Sequence, residues 1–158
     1  REKKGYGYAS KEVFKNANYI LIEHPVNQKE CISFMERFVG TLGFKSVKIM
    51  SPQAHDEIIS FTSQLPHAIA VSLINSDNEK YETGKYIGDS YRDLTRIANI
   101  NENLWSELFL RNSDYLLASI EAFEEQLDLI KVALKDNDER LLKDLFIKSS
   151  LRREKLEK

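Results

Sequence analysis

The sequence predicts a mainly α-helical protein in which a small, partial α/β unit precedes an all-helical region. Two patterns carry this prediction. Residues 19–50 contain a strand, a helix and a second strand, about the size of one βαβ crossover. From Ser51-Pro52 to the end, the apolar residues instead recur with helical period. We therefore divide the chain into residues 1–50 and residues 51–158, because 158 residues suffice for one domain plus a piece of another.

The α/β unit consists of two short apolar runs around one amphipathic helix. Residues 19–22 predict a buried strand, and residues 46–50 predict a second strand parallel to it. Asn27, with Glu30 three residues later, is the predicted N-cap of the helix, and Gly43 is its predicted stop. Two parallel strands cannot cover both of their faces, so we expect them to belong to a larger sheet than this sequence supplies. Since the sequence also begins without Met, it is interpreted as a fragment of a longer chain.

Cys31 is the only cysteine of the sequence. It occupies an apolar position of the predicted helix, where cysteine behaves as a small hydrophobic residue, so we expect it in the core. A lone cysteine cannot form a disulfide or a thiolate zinc site within one chain.

The first helix of the second region is predicted to begin at Pro52, with Ser51 as its N-cap. Pro66 lies well inside this helix and is expected to kink its axis, because proline removes a backbone hydrogen bond. Apolar residues surround most of the circumference, which predicts a helix buried in an all-helical assembly. They are Ile58, Ile59, Phe61, Leu65, Ile69, Val71, Leu73 and Ile74.

Four further helices are predicted after a polar stretch, residues 76–90, that reads as a loop or a short, weak helix. Two short helices, 90–98 and 101–110, are followed by a longer one from Ser113, and residues 136–138 separate that one from a last helix with a basic end. The longer helix carries a heptad-like seam suited to packing against another helix. Its members are Leu116, Ile120, Phe123, Leu127, Ile130 and Leu134.

Composition excludes several partners. The formal net charge is -2, from 23 basic and 25 acidic residues, so the chain has no positive excess with which to hold nucleic acid or an anionic membrane surface. No apolar run approaches the ~20 residues that span a bilayer, and no signal-peptide core follows the first residues. A cytoplasmic protein is the resulting expectation.

A polar stripe on the apolar helix is the first candidate site. On a straight helix four polar residues stack on one face. They are Asp56, Ser60, Gln64 and His67. One interpretation is that this face meets water or a polar ligand. The other is that backbone groups satisfy the serine and the glutamine, and that the histidine lies in the core. His55 lies about 120° from His67 on a straight helix, which disfavours a metal site built on the two.

The second candidate is a cluster around Arg96. Asp93 and Arg96 are neighbours at i and i+3, which predicts a solvated ion pair on a helix surface. Alternatively, Arg96 presents its planar guanidinium to a carboxylate, with Asp93 fixing its rotamer and Trp105 providing an apolar wall.

Other motifs are weak. Residues 5–10, Gly-Tyr-Gly-Tyr-Ala-Ser, superficially match a dinucleotide fingerprint, but no strand precedes them and the sixth position is Ser. His24, before Pro25, has an expected structural role. The sequence contains no nucleophile elbow, Walker loop or metal-ligand motif, so no metal is expected.

Taken together, the two clusters match a known pattern in order and spacing. The segments are Met50-Ser51-Pro52-Gln53-Ala54-His55-Asp56, Ser63-Gln64-Leu65-Pro66-His67, Asp93-Leu94-Thr95-Arg96-Ile97-Ala98 and Leu104-Trp105. They resemble the motifs of the prephenate dehydrogenase family over nearly the whole chain. The resemblance implies an N-terminal Rossmann-type domain for a nicotinamide cofactor and a C-terminal all-helical domain that forms a homodimer. Residues 1–50 would be the end of the first domain, and residues 51–158 the helical dimerisation and substrate-binding domain.

The resemblance also implies roles for individual residues. Arg96 matches the arginine that binds a carboxylate of prephenate, and His67 matches the histidine that contacts the hydroxyl end of the substrate. The family's principal catalytic histidine would lie a few residues before Arg1, so no catalytic residue is expected in this sequence. Asp93 and Trp105 match neighbours that line this pocket, and His55 matches a further motif histidine. Glu2 lies where some members carry an acidic residue that gates the site.

The implied reaction is the NAD- or NADP-dependent oxidative decarboxylation of prephenate to 4-hydroxyphenylpyruvate in tyrosine biosynthesis. The residue that would distinguish NAD from NADP is not present. Arogenate dehydrogenase and an inactive helical dimerisation fragment remain alternatives. Two departures, Gln64 in place of a second histidine and Gly88-Asp89-Ser90 in place of a more glycine-rich stretch, leave tyrosine only a candidate feedback inhibitor.

Overall fold

The computed structural model describes residues 6–156 and divides into two compact units, one up to Leu116 and one from Leu117. Helices dominate, and among the described residues the two strands form one small sheet, which confirms the predicted fold class. Short 3-10 turns lie at Tyr6–Tyr8, Lys11–Val13 and Thr83–Lys85. In chain order the main elements are β1 (Asn18–Ile22), α1 (Lys29–Thr41), β2 (Ser46–Met50), α2 (Pro52–Ile59), a π-helical segment (Ser60–Gln64), α3 (Leu65–Asn75), α4 (Asp89–Thr95), α5 (Glu102–Arg111), α6 (Ser113–Lys135) and α7 (Glu139–Leu156).

The sheet has the predicted parallel pairing. β1 and β2 run in register, from Asn18 opposite Ser46 to Ile22 opposite Met50, and α1 packs against both strands. The prediction of a buried first strand is wrong for the described residues, since the side chains of β1 are only half-buried or exposed. The reason is geometric: one helix and one neighbouring strand cannot cover both faces and both edges of a strand.

The N-terminus of α1 differs from the prediction, whereas its C-terminus agrees. Gln28, not Asn27, is the N-cap, because the Asn27 Oδ1 atom accepts the backbone N–H of His24 at 2.7 Å and closes a turn before the helix begins. Gly43 follows the helix with φ +87°, the left-handed conformation in which a helix commonly stops.

The predicted core position of Cys31 is wrong. Cys31 is exposed, and so are Phe34 and Phe38, whose parallel rings stack at 6.1 Å on the same helix. Val39, by contrast, is 1% exposed. Apolar residues thus occupy two faces of α1, and only the face that contains Val39 is covered within the described residues. Helical spacing identifies apolar positions but does not say which of them a neighbour covers.

Ser51 caps α2 as predicted, with its Oγ atom accepting the Ala54 N–H at 3.2 Å and Pro52 in the first turn. A π-helical segment, Ser60–Gln64, interrupts the helix just before Pro66, the residue at which a kink of the axis was predicted. Pro66 has no N–H to donate to the preceding turn, and the hydroxyls of Ser60 and Thr62 donate to carbonyl oxygens of α2 at 2.7 Å. Both effects weaken the regular hydrogen-bond ladder.

α5 forms within one residue of its predicted bounds, and α4 begins one residue before and ends three residues before its predicted bounds. Asn101 is the N-cap of α5, and its Oδ1 atom accepts the Leu104 N–H at 3.0 Å. α4 is a short helix that packs against α3. The polar stretch before it contains only the short turn Thr83–Lys85.

The second unit consists of the rest of α6 and α7. The predicted break at residues 136–138 is present: Asn137 has φ +53°, and the Asp138 Oδ1 atom accepts the Leu141 N–H at 2.9 Å. Ala133 is fully buried next to this turn. Along residues 6–156, no helix has both the length and the apolar character needed to cross a membrane. A groove of about 250 Å³ between α6 and α7 is lined by Gln126, Ile130, Leu145, Phe146, Lys148, Ser149 and Arg152.

Candidate functional site

A stacked imidazole and indole form the centre of the candidate site. His67, on α3, lies over the ring of Trp105, on α5, with ring centroids 3.6 Å apart and an interplanar angle of 27°. Phe109 meets the indole edge-on at 5.8 Å. Trp105 is only 9% exposed, so it forms a rigid apolar wall under a half-buried histidine. The structure therefore brings together two of the predicted site residues from different helices.

The hydrogen bonding of His67 defines which nitrogen is available. Its Nδ1 atom lies 2.8 Å from the carbonyl oxygen of Ser63. A carbonyl only accepts, so Nδ1 carries the proton in this contact, and the neutral ring keeps a lone pair on Nε2. Within residues 6–156, Nε2 has no hydrogen-bond partner. His67 thus offers an acceptor to a hydroxyl group.

A partly buried amide network joins the π-helical segment to the junction of α5 and α6. The Gln64 Nε2 atom donates to the Leu108 carbonyl at 3.0 Å, and Gln64 is only 4% exposed. The Asn112 Nδ2 atom donates at 2.9 Å both to the Gln64 Oε1 atom and to the backbone carbonyl of Asp56. The network fastens the helix that carries His67 to the helix that carries Trp105.

The polar stripe predicted from helical period is not one continuous face. The π-helical turn contains an extra residue, which rotates α3 relative to α2 by roughly the 100° that one residue subtends. Ser60 is 1% exposed and donates to the Glu57 carbonyl at 2.7 Å, and Gln64 is bonded as described above. Both residues are therefore satisfied inside the protein, and within the stripe only His67 keeps an unused polar atom next to an apolar wall.

Arg96 lies at the end of α4, which packs against the helix that carries His67. Its side chain is exposed. The predicted ion pair with Asp93 is absent: within residues 6–156, neither side chain makes an ion pair or a hydrogen bond. Arg96 is the C-cap of α4 with helical backbone angles, and both side chains are exposed, where solvation competes with an ion pair that is worth little. The guanidinium is left unpaired within the described residues.

The other two histidines have contacts of their own. The His55 Nδ1 atom is 2.9 Å from the Asp56 Oδ1 atom on α2, and nothing in this contact involves His67. His24 belongs to the turn after β1, where its Nδ1 atom accepts the Val26 N–H at 3.4 Å. Glu2 lies outside the described residues.

A second concave surface, which sequence reasoning missed, lies at the carboxyl ends of β1 and β2. It is an open cleft of about 550 Å³. The signal in the sequence was the position of charged residues directly after a predicted strand, since the carboxyl edge of a parallel sheet is a usual place for ligands. The lining residues are Glu23, His24, Pro25, Asn27, Lys29, Ser51, Pro52 and Gln53.

The described residues do not form a dinucleotide-binding turn. Residues 23–28, which connect β1 to α1, contain no glycine, and the 3-10 turn Tyr6–Tyr8 is followed by a second 3-10 turn and not by an α-helix. A pyrophosphate needs backbone N–H groups at a glycine-rich strand-to-helix turn. Among the described residues, no group of three or more His, Cys, Asp or Glu side chains could hold a metal ion.

The fold is shared with solved dehydrogenases. Prephenate dehydrogenase from A. aeolicus, solved in complex with hydroxyphenyl propionate and NAD+, is 29% identical and superposes with a TM-score of 0.83 over 98% of this chain and 55% of that chain. The fold of this chain is therefore that of about half of the A. aeolicus enzyme.

Curated proteins of similar sequence are also dehydrogenases. Prephenate dehydrogenase of Bacillus subtilis (strain 168) is 28% identical over 140 residues, 86% of this chain and 38% of the relative. Cyclohexadienyl dehydrogenase of Zymomonas mobilis is 27% identical over 143 residues, 87% of this chain and 48% of the relative. The chain thus spans less than half the length of either relative. The family described as "Prephenate dehydrogenase, dimerization domain" matches residues 51–148, most of the chain, and the chain belongs to that family.

Proposed function

We propose that this chain is the substrate-binding and dimerisation part of an NAD-dependent prephenate dehydrogenase, which converts prephenate to 4-hydroxyphenylpyruvate by oxidative decarboxylation. The observation that carries the proposal is the stack of His67 on Trp105 with the histidine Nε2 atom unbonded. Membership of the family and the likeness to a dehydrogenase solved with hydroxyphenyl propionate support it. In the same proposal, residues 1–50 end the nucleotide-binding domain and residues 51–158 form the helical domain.

The residues of this chain would bind and orient the substrate. Arg96 would bind a substrate carboxylate through two parallel N–H···O bonds, a geometry that its unpaired, exposed guanidinium leaves open. The Nε2 atom of His67 would accept a hydrogen bond from the ring hydroxyl, while Trp105 forms an apolar wall beside the ring. Orientation of this kind lowers the barrier because the reacting groups are already aligned. Asp93, His55 and Glu2 would flank this pocket.

NAD is the proposed cofactor of the intact enzyme, because the A. aeolicus relative was solved with NAD+. NADP remains the alternative, since the residue that distinguishes NAD from NADP at the ribose is not in this sequence. A homodimer is proposed from the description of the family, and a cytoplasmic location from the dissolved cofactor that such an enzyme would use. Tyrosine as a feedback inhibitor is a further proposal that rests on the resemblance alone.

The test is the variant Arg96→Ala in the intact enzyme. Removal of a charge-assisted pair costs about 1.5–3 kcal/mol, so the KM for prephenate should rise about 10- to 100-fold while the KM for NAD stays unchanged. Arg92→Ala, on the exposed surface of the same helix, is the matched control and should leave both constants unchanged. An unaltered KM for prephenate in Arg96→Ala would remove the carboxylate assignment.

Arogenate differs from prephenate by an amino group on the side chain, and dehydrogenases for both share the family resemblance. Steady-state kinetics with each substrate will decide between them. A kcat/KM for arogenate above that for prephenate would replace the proposed substrate while leaving the roles of Arg96 and His67 in place.

A further inference from the structure

The π-helical segment Ser60–Gln64 stands directly before the helix turn that carries His67. Its defining bond runs from the Leu65 N–H to the Ser60 carbonyl, five residues back instead of four. Such segments are rare and occur frequently at functional sites, because the wider turn costs regular hydrogen bonding that the surrounding structure must offset. The segment therefore needs a structural reason to persist here.

Two side chains provide that reason. Gln64, the last residue of the segment, is 4% exposed and donates to the Leu108 carbonyl of α5. Asn112, at the end of α5, donates both to Gln64 and to the Asp56 carbonyl of α2. One amide thus bonds to the helix before the segment and to the last residue within it. This network spans the segment from one side to the other and fixes its register.

We propose that Asn112 and Gln64 are positioning residues that hold the π-helical register and thereby place His67 on Trp105. A return to a regular α-helix would rotate everything after the segment by roughly 100°, the turn of one residue. That rotation would move the imidazole off the indole. The link from this geometry to turnover rests on the proposed function, whereas the effect on the stacked pair does not.

The experiment uses three variants of the intact enzyme. Asn112→Ala removes both donors of the asparagine, and Gln64→Met keeps the length of the side chain but removes its polar atoms. Asn103→Ala is the matched control, because the Asn103 side chain is exposed on α5 and, within residues 6–156, bonds only to the neighbouring Glu102 side chain. NMR of the protein with carbon-13-labelled histidine measures the chemical shifts of the His67 ring protons. Their signals are assigned by their absence in His67→Gln.

Stacking on an indole moves the chemical shifts of these ring protons upfield. This upfield displacement of the chemical shifts should be lost in Asn112→Ala and in Gln64→Met and kept in Asn103→Ala. The kcat/KM for prephenate should fall by up to about 100-fold in the first two variants, since misplacement by about 1 Å can cost that much. Asn112→Ser, which keeps one donor, should recover part of the displacement.

An unchanged His67 displacement in folded Asn112→Ala and Gln64→Met would overturn the positioning role. Failure of both variants to fold, with Asn103→Ala intact, would also overturn it, because the two residues would then serve general stability. Loss of the displacement with unchanged kinetics would instead leave the positioning role in place and contradict the proposed function of His67.

Discussion

The ability of His67 to accept a hydrogen bond from a ligand depends on which of its ring nitrogens is already bonded. Its Nδ1 atom is held by the Ser63 carbonyl, four residues earlier on the same stretch of helix, so the ring orientation is set locally. Trp105 then fixes the plane of the ring from another helix. A histidine constrained in this way loses little further freedom when a ligand hydroxyl binds to Nε2.

This geometry distinguishes two substitutions of His67. The amide nitrogen of asparagine can take the place of Nδ1, and glutamine extends to the place of Nε2. We expect His67→Asn to keep the Ser63 bond and to lose about 2- to 10-fold in kcat/KM, the value of one uncharged hydrogen bond, while His67→Gln keeps more activity. Steady-state kinetics of both variants provides the measurement. Equal losses in the two would show that Nε2 does not contact the substrate.

At the level of elements, α1 shows that local conformation determines where a helix ends, whereas tertiary packing determines which of its side chains are buried. Its end is determined locally, because Gly43 takes a left-handed conformation with φ +87° that most residues avoid. Its burial is determined by neighbours, since Phe34 and Phe38 remain exposed although they have helical apolar spacing. A sequence pattern can therefore predict where this helix ends more reliably than which side of it is covered.

Two glycines of this region should respond to alanine in opposite directions. An added Cβ at Gly40, inside α1, or at Gly43 meets no atom within 4 Å, so space does not decide either case. Gly40→Ala should stabilise the protein by up to about 1 kcal/mol through helix propensity. Gly43→Ala should destabilise it by about 1–2 kcal/mol, because alanine pays a steric cost at positive φ.

Urea denaturation midpoints of the two variants give the comparison, provided that the slopes are unchanged. Gly43→Asn serves as the control, because asparagine tolerates the left-handed conformation and should lose less stability than alanine. A shift of the same sign for Gly40→Ala and Gly43→Ala would contradict the conformational explanation.

At the scale of the whole molecule, large apolar side chains remain exposed in each of the two units. In the second unit they include three residues on α7 that are more than half exposed, Phe146, Ile147 and Leu151. Two helices cannot bury such a surface between themselves, and contiguous exposed apolar surface marks an interaction site. The membership of a dimerisation-domain family agrees with a second subunit as the partner of this surface.

We expect Leu151→Asp to weaken the proposed dimer. A carboxylate left unpaired in an apolar interface costs several kcal/mol, so the dimer dissociation constant should rise at least about tenfold. Sedimentation equilibrium of the intact protein measures this constant. Ser150→Asp is the control, since it introduces the same charge at the neighbouring exposed position of α7 without removing an apolar side chain. Dissociation constants that change equally in both variants would assign the effect to charge alone.

Much of the architecture follows from local rules. The parallel β1–α1–β2 unit, the Ser51 cap and the break after α6 were predicted because turn chemistry and periodicity act over a few residues. Only the family resemblance assigned His67 and Trp105 to one pocket, and their stacking was not predicted. Local rules could not predict this contact, since the two residues are 38 positions apart on helices whose approach depends on tertiary packing.

What the sequence by itself determined is the order, type and ends of most elements, together with the family to which the motifs point. Tertiary structure decided which apolar residues are covered, that Asp93 and Arg96 do not pair, and that a π-helical turn redirects the face carrying His67. The physical reason is one of range. Backbone propensity and capping are settled within a single turn, whereas burial, register and the direction of a side chain depend on contacts from distant segments such as Asn112.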